Sequence, residues 1–230
     1  MVSRILQCSF KLIRASTITY SAEHKITPSL AIARYLRTYK TQPQLTLVGP
    51  LLKENDEFDH PVIFVDGGAN FRKDNIGLSV GDGDSFAGEM DEPLNSNKNY
   101  SDLAYVLAGI PHHFRRLNLR GFLGGRRDHE LLNLGEVCAF LKHQPRNSTV
   151  SFDDKVCCFG KGEWQLESHQ TFSLMCLSPV KVQLTGELKY PIAELTELSP
   201  LSSLGLSNEG LGHINLKCDG PLLMFYSDKF

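Results

Sequence analysis

Three short apolar segments, each followed directly by a turn rich in glycine or aspartate, most strongly constrain how this chain can fold. They lie at residues 45–48, 62–65 and 76–80, and a fourth run lies at 117–123. Such runs are typical of strands buried on both faces of a parallel sheet. Apolar residues also recur at helical spacing, at residues 28–40, 100–107 and 129–142. The alternation of the two patterns predicts an α/β sheet with helices on both faces.

The residues after 147 follow a different pattern. Strict alternation of apolar and polar side chains at 180–185 and 214–219 is typical of strands that turn one face to a core. Further short strands are predicted at 149–152, 155–159, 163–167, 171–177 and 222–226. A stretch of this length without a helical segment predicts an antiparallel β-sandwich.

The predicted fold is therefore a mostly parallel, Rossmann-like α/β domain followed by an antiparallel β-sandwich. We expect an amino-terminal arm or first elements at 1–40, the α/β domain at 41–147 and the sandwich at 148–230. Residues 1–40 carry seven basic residues and one acidic residue. This start is explained either by a basic first strand or helix or by a mitochondrial transit peptide.

Composition excludes several classes of function. The chain has 24 Lys and Arg against 26 Asp and Glu, and the net charge of −2 argues against nucleic acid as a partner. No uncharged apolar stretch approaches the roughly 18–20 residues of a membrane helix, so we expect no membrane partner. The six cysteines form no C-x-x-C pair and no secretory signal is recognisable, which predicts reduced thiols in a cytoplasmic protein.

The candidate functional residues lie after the predicted strands, where open α/β sheets bind ligands. The turn G-D-G-D-S at 81–85 carries Asp82 and Asp84, two carboxylates two positions apart. Such a pair suits Mg²⁺, which binds one or two carboxylates together with waters and phosphate oxygens. A solvated turn is the alternative. Asp102, at the start of the predicted helix 100–107, is equally explained as a carboxylate that interacts with the helix dipole.

A second polar turn, at residues 121–129, precedes the helix predicted at 129–142. Main-chain N–H groups at a helix start attract phosphate, and a guanidinium group can bind phosphate oxygens through two hydrogen bonds. A capped helix with two surface arginines is the alternative. The chain has neither a Walker A loop nor a G-x-G-x-x-G fingerprint, which disfavours an oxidoreductase and leaves nucleotide chemistry to another Gly/Asp/Arg arrangement.

In their order along the chain, these motifs resemble those of the thiamine pyrophosphokinase family. The amino-terminal set is D-G-G-A-N at 66–70, G-D-x-D-S at 81–85, S-D at 101–102 and G-x-x-G-G-R-x-D-H-x-x-x-N at 121–133. The carboxyl-terminal set is F-S-L at 172–174, G-x-L-K-Y-P at 186–191 and S-N-E at 207–209. The similarity spans about residues 45–227.

The resemblance implies transfer of a pyrophosphoryl group from ATP to the hydroxyethyl oxygen of thiamine, leaving AMP. It also implies a homodimer with thiamine between the subunits. The residues implied to hold Mg²⁺ and to act in catalysis are Asp82, Asp84 and Asp102. The residues implied to bind ATP and its phosphates are Asp66, Gly67, Gly68, Asn70, Gly125, Arg126, Asp128, His129 and Asn133. The residues implied to bind thiamine are Ser207 and Asn208.

One stretch departs from the family pattern, in which D-x-D-x-T-D-x-x-K-A leads into the helix. Here Asn97 and Asn99 replace two carboxylates, and Tyr105 occupies the lysine position. Because Asp82, Asp84 and Asp102 are retained, we favour an active enzyme. The alternatives are a non-catalytic thiamine or nucleotide binder and a pyrophosphokinase that acts on another heterocyclic alcohol, such as a pterin.

Overall fold

The structure is a computed structural model that describes residues 19–20, 24–27, 29–53, 57–59, 61–73 and 76–227. Its strands are β1 (Thr19–Tyr20), β2 (His24–Lys25), β3 (Gln44–Val48), β4 (Val62–Val65), β5 (Leu78–Gly81), β6 (Glu92–Pro93), β7 (Arg116–Arg120), β8 (Thr149–Phe152), β9 (Val156–Phe159), β10 (Gly162–Ser168), β11 (Thr171–Met175), β12 (Val180–Leu188), β13 (Ile192–Leu198), β14 (Asn208–Cys218) and β15 (Leu222–Tyr226). Its α-helices are α1 (Leu30–Leu36), α2 (Asp102–Ala108) and α3 (Arg127–Lys142). None of these helices is long and apolar enough to cross a membrane. The first basic residues, on which the transit-peptide interpretation depends, lie outside the described residues.

Six strands run parallel, in the order β6-β5-β4-β3-β7-β8. Leu47 in the central strand β3 pairs with Ile63 of β4 on one side and with Leu119 of β7 on the other. The chain builds outward from β3 to β6 and then returns to the opposite side of β3 with β7. The predicted parallel strands are confirmed, and the carboxyl ends of β3, β4, β5 and β7 share one edge, where ligands bind in such sheets.

The antiparallel strands extend the same sheet. β8 lies parallel to β7 and antiparallel to β9, and the order continues as β9-β15-β11-β14-β12-β13, with β10 also paired to β14. A single hydrogen-bonded network of 13 strands therefore spans both parts, so the protein is a mixed α/β protein dominated by one large mixed sheet. The sequence predicted a strand at 149–152 but grouped it with the antiparallel strands, whereas β8 is the sixth parallel strand.

Two large hydrophobic cores lie on this sheet. In the first, helices α1, α2 and α3 bury Ile32, Val106 and Val137 against the parallel strands. In the second, the inward side chains of β9, β11 and β15 meet those of β12 and β14, as with Phe172 and Leu216. Burial of each such side chain contributes about 1.5–3 kcal/mol. The sheet edge that carries the polar turns is therefore fixed by a well-packed core.

Several local features differ from the predictions. Strands β6 and β13 were not predicted, and the D-G-G-A-N segment forms a 3₁₀-helix (Asp66–Phe71). The strand predicted at 117–123 ends at Arg120. This earlier end leaves residues 121–126 free to form the turn that leads into α3.

Candidate active site

Three carboxylates meet where two neighbouring parallel strands end. Asp66 follows β4 directly, while Asp82 and Asp84 lie in the turn after β5. One carboxylate oxygen of each residue lies within 4.8 Å of the other two. Since β4 and β5 are adjacent and parallel, the sheet places the segments that follow them side by side. We call these two segments, which carry Asp66 and the pair Asp82 and Asp84, the acidic turns. The structure thus unites two predicted metal ligands with Asp66, which was predicted to lie near the phosphates.

Asp66 is held in an unusual conformation. Its φ of 49° lies in the left-handed region that non-glycine residues rarely adopt. The end of β5 packs closely against Asp66. Residue 81 must be glycine there, because a Cβ at this position would lie 2.7 Å from Asp66 Cα. Asp66 Oδ1 is buried and has no hydrogen-bond partner in the part of the chain that the structure describes. Burial raises the pKa of Asp66, and the charges of Asp84, Asp102 and Asp82 raise it further.

Lys98 lies between two of the predicted metal ligands. Its Nζ atom is 2.6 Å from Asp82 Oδ2 and 2.9 Å from Asp102 Oδ1. The three side chains are largely buried, with 8%, 14% and 13% of their surfaces exposed for Lys98, Asp82 and Asp102. Burial alone would lower the pKa of Lys98, but its hydrogen bonds to the two carboxylates outweigh burial and raise that pKa. Lys98 is therefore an ammonium group at neutral pH.

The two carboxylates respond differently to Lys98. Its hydrogen bond lowers the pKa of Asp82, whereas burial raises the pKa of Asp102 despite the same neighbour. Asp102 is the first residue of α2, and Ser101 caps this helix by accepting a hydrogen bond from Ala104 N at 3.0 Å. Asp102 thus lies at a helix start, as expected, and is also joined to the acidic turn through Lys98.

The other predicted phosphate-binding residues after β4 hold the acidic turns in place. A Cβ on Gly68 would lie 2.0 Å from the carbonyl oxygen of Val48, so the turn packs tightly on the end of β3. Asn70 Nδ2 donates hydrogen bonds to the carbonyl oxygens of Gly67 at 2.8 Å and Ser85 at 2.9 Å. These contacts tie the turn after β4 to the turn after β5.

The second predicted phosphate-binding turn leads into α3. Arg126 precedes the helix and forms an ion pair with Asp128, and both side chains are exposed, by 72% and 58%. Arg126, His129 and Asn133 line a cavity of about 150 Å³. Asn133 Nδ2 also donates a hydrogen bond to the carbonyl oxygen of Phe122 at 2.9 Å. The cavity therefore presents a cation and an imidazole beside a helix start.

The loop after β3 lies between the two groups of residues. Pro50 lines the cavity beside α3. Pro50 also packs against the turn after β4, because a Cβ added to Gly67 would lie 3.0 Å from Pro50 Cβ. On the other side, a Cβ on Gly125 would lie 2.7 Å from Leu51 Cδ1. The acidic turns therefore lie on one side of this loop, and the turn at 121–126 that leads into α3 (the α3 turn) lies on the other. The positions of β4 and β7 on either side of β3 require this order.

Of the residues that depart from the family pattern, Asn97 and Asn99 flank Lys98 in the sequence and Tyr105 lies in α2. Asn97 and Asn99 are exposed. Tyr105 Oη donates a hydrogen bond to Glu92 Oε1 at 2.9 Å, and its ring stacks on Tyr100 with centroids 5.9 Å apart. Tyr105 therefore serves a packing role at the position where the family carries lysine.

The ammonium group beside the carboxylates comes from Lys98, which the sequence analysis did not single out. The available signal was its place four residues before Asp102. That spacing supports an ion pair within a helix, but residue 98 precedes α2, so periodicity alone did not indicate the contact.

The residues predicted to bind thiamine lie far along the sheet. Ser207 is exposed and has a φ of 54°, and Asn208 is buried at the start of β14. Asn208 Nδ2 donates to the Tyr190 carbonyl oxygen at 2.6 Å, and Asn208 Oδ1 accepts from Tyr190 N at 3.0 Å. β14 is seven strands from β4 in the sheet order. These residues therefore belong to the antiparallel part of the sheet, whereas the acidic turns follow strands of the parallel part.

The acidic turns fit a hard divalent cation. They offer three converging carboxylates, one of which has the buried, unpartnered oxygen Asp66 Oδ1. Asp84 is exposed, and its Oδ1 accepts a hydrogen bond from Ser85 Oγ at 2.8 Å. Oxygen ligands with an open side suit Mg²⁺, which retains waters and takes phosphate oxygens.

Solved structures share the fold of this chain. Thiamine pyrophosphokinase from Bacillus subtilis is 22% identical over 81% of this chain and 100% of its own, with a TM-score of 0.62. A thiamin pyrophosphokinase family protein from Enterococcus faecalis covers the same shares at 20% identity, also with a TM-score of 0.62. Thiamin pyrophosphokinase from Candida albicans is 17% identical over 84% of this chain and 91% of its own, with a TM-score of 0.60. This chain has the thiamine pyrophosphokinase fold.

The resemblance that the motifs indicated is thus confirmed for the fold. No protein-family model and no curated protein matches the sequence. The likeness to thiamine pyrophosphokinase structures therefore comes from the backbone arrangement, which at these identities shows the fold alone. What this site can bind is therefore inferred from this chain's own acidic turns, from Lys98 and from the cavity beside α3.

Proposed function

We propose that this protein is a Mg²⁺-dependent thiamine pyrophosphokinase. It transfers the pyrophosphoryl group of ATP to the hydroxyethyl oxygen of thiamine and releases AMP. The observation that carries the proposal is the convergence of Asp66, Asp82 and Asp84 at the ends of β4 and β5 in a chain with the thiamine pyrophosphokinase fold.

The acidic turns would hold the metal. When bound, Mg²⁺ supplies the positive charge that neutralises the phosphate oxygens of ATP. Asp82 and Asp84 extend from one turn, while Asp66 reaches the same point from the neighbouring strand. Asp102 lies on the far side of Lys98 and would complete the set of carboxylates.

The α3 turn would hold the nucleotide phosphates. Arg126 is exposed and pairs with Asp128, so its guanidinium can exchange this partner for a phosphate with little loss of buried contact. His129 and Asn133 line the same cavity. The loop at Pro50 separates this cavity from the acidic turns, so a triphosphate that bridges both would lie across the end of β3.

The reaction then depends on alignment. The hydroxyl oxygen of thiamine attacks the β-phosphorus of ATP, the bond from that phosphorus to the α-phosphate oxygen breaks, and AMP leaves with that oxygen. The hydroxyl proton passes to water as the new bond forms. Holding the two reactants in line accounts for much of the acceleration of such transfers.

A homodimer would supply the thiamine side. Within one chain, Ser207 and Asn208 lie at the start of β14, seven strands from β4 in the sheet order. A second copy that presents these residues to the acidic turns resolves this separation. We infer the same division of the chain as the sequence indicated: an arm at 1–40, an ATP-binding, Rossmann-like domain at 41–147 and a thiamine-binding, dimerising sandwich at 148–230.

We also infer a cytoplasmic location. The five cysteines within the described residues are free thiols, four of them buried. Burial raises the pKa of Cys138 to about 11, so this thiol is protonated and unreactive at neutral pH. Thiols that remain reduced fit a reducing compartment.

A second candidate is a non-catalytic thiamine or nucleotide binder. It is favoured by the neutral side chains of Asn97 and Asn99 and by Lys98, which already neutralises two carboxylates. A pyrophosphokinase acting on another heterocyclic alcohol is the remaining alternative.

One assay separates these functions. The purified protein is incubated with ATP, Mg²⁺ and thiamine, and AMP and thiamine diphosphate are quantified together. The proposed function requires equal amounts of both, loss of both with EDTA, and loss of both in Asp84→Asn but not in the exposed control Glu194→Gln. AMP formed only with another alcohol would identify a different pyrophosphokinase. No AMP with any alcohol, together with a thiamine-induced rise in Tm, would identify a binder.

A further inference from the structure

The position of Lys98 has a consequence for metal binding that goes beyond the proposed reaction. Lys98 Nζ lies 2.6 Å from one oxygen of Asp82 and 2.9 Å from one oxygen of Asp102. Mg²⁺ binds its oxygen ligands at about 2.0–2.1 Å in near-octahedral geometry. A cation that bridges these two oxygens would therefore occupy the space that the ammonium group fills.

We propose that Lys98 is a built-in counter-ion of the metal site, whose ammonium must leave Asp82 and Asp102 before a divalent cation can bridge them. This inference rests on the proposed function, because it concerns the metal of that reaction. It assigns to Lys98 a positioning role that the motifs did not indicate.

The surroundings explain why a counter-ion is needed. Asp66, Asp82 and Asp84 converge, Lys98 joins Asp102 to Asp82, and the charges of the other three carboxylates raise the pKa of Asp66. Without a cation, four carboxylates would repel one another at low effective dielectric. Lys98, with only 8% of its side chain exposed, supplies one positive charge between two members of this group, Asp82 and Asp102.

The same contacts oppose metal entry. Two ion pairs of a buried lysine must be broken before Asp82 and Asp102 act together as ligands, and breaking buried ion pairs is costly. Metal binding is then an exchange of one cation for another, and its affinity is lower than the carboxylates alone would give. Once displaced, the ammonium remains tethered beside the site, where it can contact an anionic phosphate.

Manganese binding tests the exchange without any turnover. Free Mn²⁺ is measured by electron paramagnetic resonance during titration of the wild type, Lys98→Gln and Lys98→Arg. Lys98→Gln should bind Mn²⁺ more tightly by about tenfold. This is the change expected when a charge-assisted hydrogen bond from Lys98 no longer competes with the metal for the carboxylates. Lys98→Arg keeps the positive charge and should bind like the wild type. The control Lys217→Gln removes another ion-paired lysine, 2.9 Å from Glu163, and should leave the affinity unchanged.

A labelling experiment tests the same exchange in the unmodified protein. Lysine-directed acetylation with mass spectrometry should show faster labelling of Lys98 when Mg²⁺ is added, with Lys217 unchanged. Equal Mn²⁺ affinities for wild type and Lys98→Gln, or Mg²⁺-independent labelling of Lys98, would overturn the role of Lys98 while leaving the proposed reaction intact. Absence of Mn²⁺ binding in every variant would overturn both the metal site and the exchange. Circular dichroism of Lys98→Gln verifies folding, and the labelling result stands without that variant.

Discussion

Asn208 and Tyr190 form a closed pair of hydrogen bonds, in which the amide of Asn208 donates to the Tyr190 carbonyl oxygen at 2.6 Å and accepts from its N–H at 3.0 Å. The side chain of Asn208 is buried, so both of these polar groups are engaged with main chain. Asn208 therefore fixes the course of the K-Y-P turn at 189–191 beside Ser207. We expect any effect of Asn208 on thiamine to act through the shape of this turn.

Replacement of Asn208 by alanine should separate this role from ATP binding. The variant leaves two main-chain groups of Tyr190 without partners, at a cost of about 1–3 kcal/mol in the free energy of unfolding. Steady-state kinetics should show a KM for thiamine that rises far more than the KM for ATP. Chemical denaturation gives the stability change. An equal rise of both KM values would contradict a thiamine-side position for Asn208.

Neutralising the acidic turn should abolish most of the activity without unfolding the protein. Asp84→Asn is the cleaner variant, because Asp84 is exposed and its side chain accepts a hydrogen bond from Ser85 instead of an ion pair. Asp82→Asn also removes one partner of Lys98. Loss of about 3 kcal/mol of transition-state stabilisation lowers kcat more than a hundredfold. Rates near those of the wild type in both variants at saturating Mg²⁺ would eliminate the metal assignment.

The negative charge of Asp66 should lower the free energy of unfolding of the metal-free protein. Burial and like charges raise its pKa, so its ionised form is disfavoured in the folded state. Asp66→Asn should raise the Tm of the metal-free protein by a few degrees at neutral pH, and asparagine tolerates the φ of 49°. The gain should be full above the folded-state pKa and vanish below about pH 4, where Asp66 is protonated in both states.

Asp154→Asn provides the control for this stability measurement. Asp154 is exposed, has a φ of 57° and lies away from the acidic turns. Calorimetry between pH 3 and pH 8 should show no comparable gain for it. A lower Tm for Asp66→Asn at neutral pH would contradict this prediction. It would show that the ionised carboxylate of Asp66 stabilises the folded protein through a partner.

Mixing two impaired variants at a low thiamine concentration should restore activity if the site is shared between subunits. Asp84→Asn damages the ATP side of its own chain, and Asn208→Ala damages the thiamine side that this chain offers to its partner. A mixed dimer would contain one site with both halves intact. Random reassociation should therefore recover about a quarter of the wild-type rate. A monomer by light scattering that still produces thiamine diphosphate, or a mixture with no recovery, would contradict the dimer.

The sequence predicted that the turns after the buried parallel strands meet at one edge, but it grouped Asp82 and Asp84 with Asp102, whereas the cluster contains Asp66. It did not predict the direction of β8, since alternation of side chains is the same in parallel and antiparallel strands. Strand β6 has two residues and includes Pro93, too short for a periodic signal. Lys98 was missed because its direction depends on the path of an irregular loop, for which no periodicity exists.

The hydrogen bonding of β8 on both of its edges limits how this molecule can move. Main-chain hydrogen bonds to β7 and β9 join the parallel and antiparallel parts without an intervening linker. A hinge rotation between the two parts would break this ladder, so cleft closure of the kind seen in enzymes with linked lobes is costly here. Any closure of a site at this edge of the sheet would then have to come from loops and side chains.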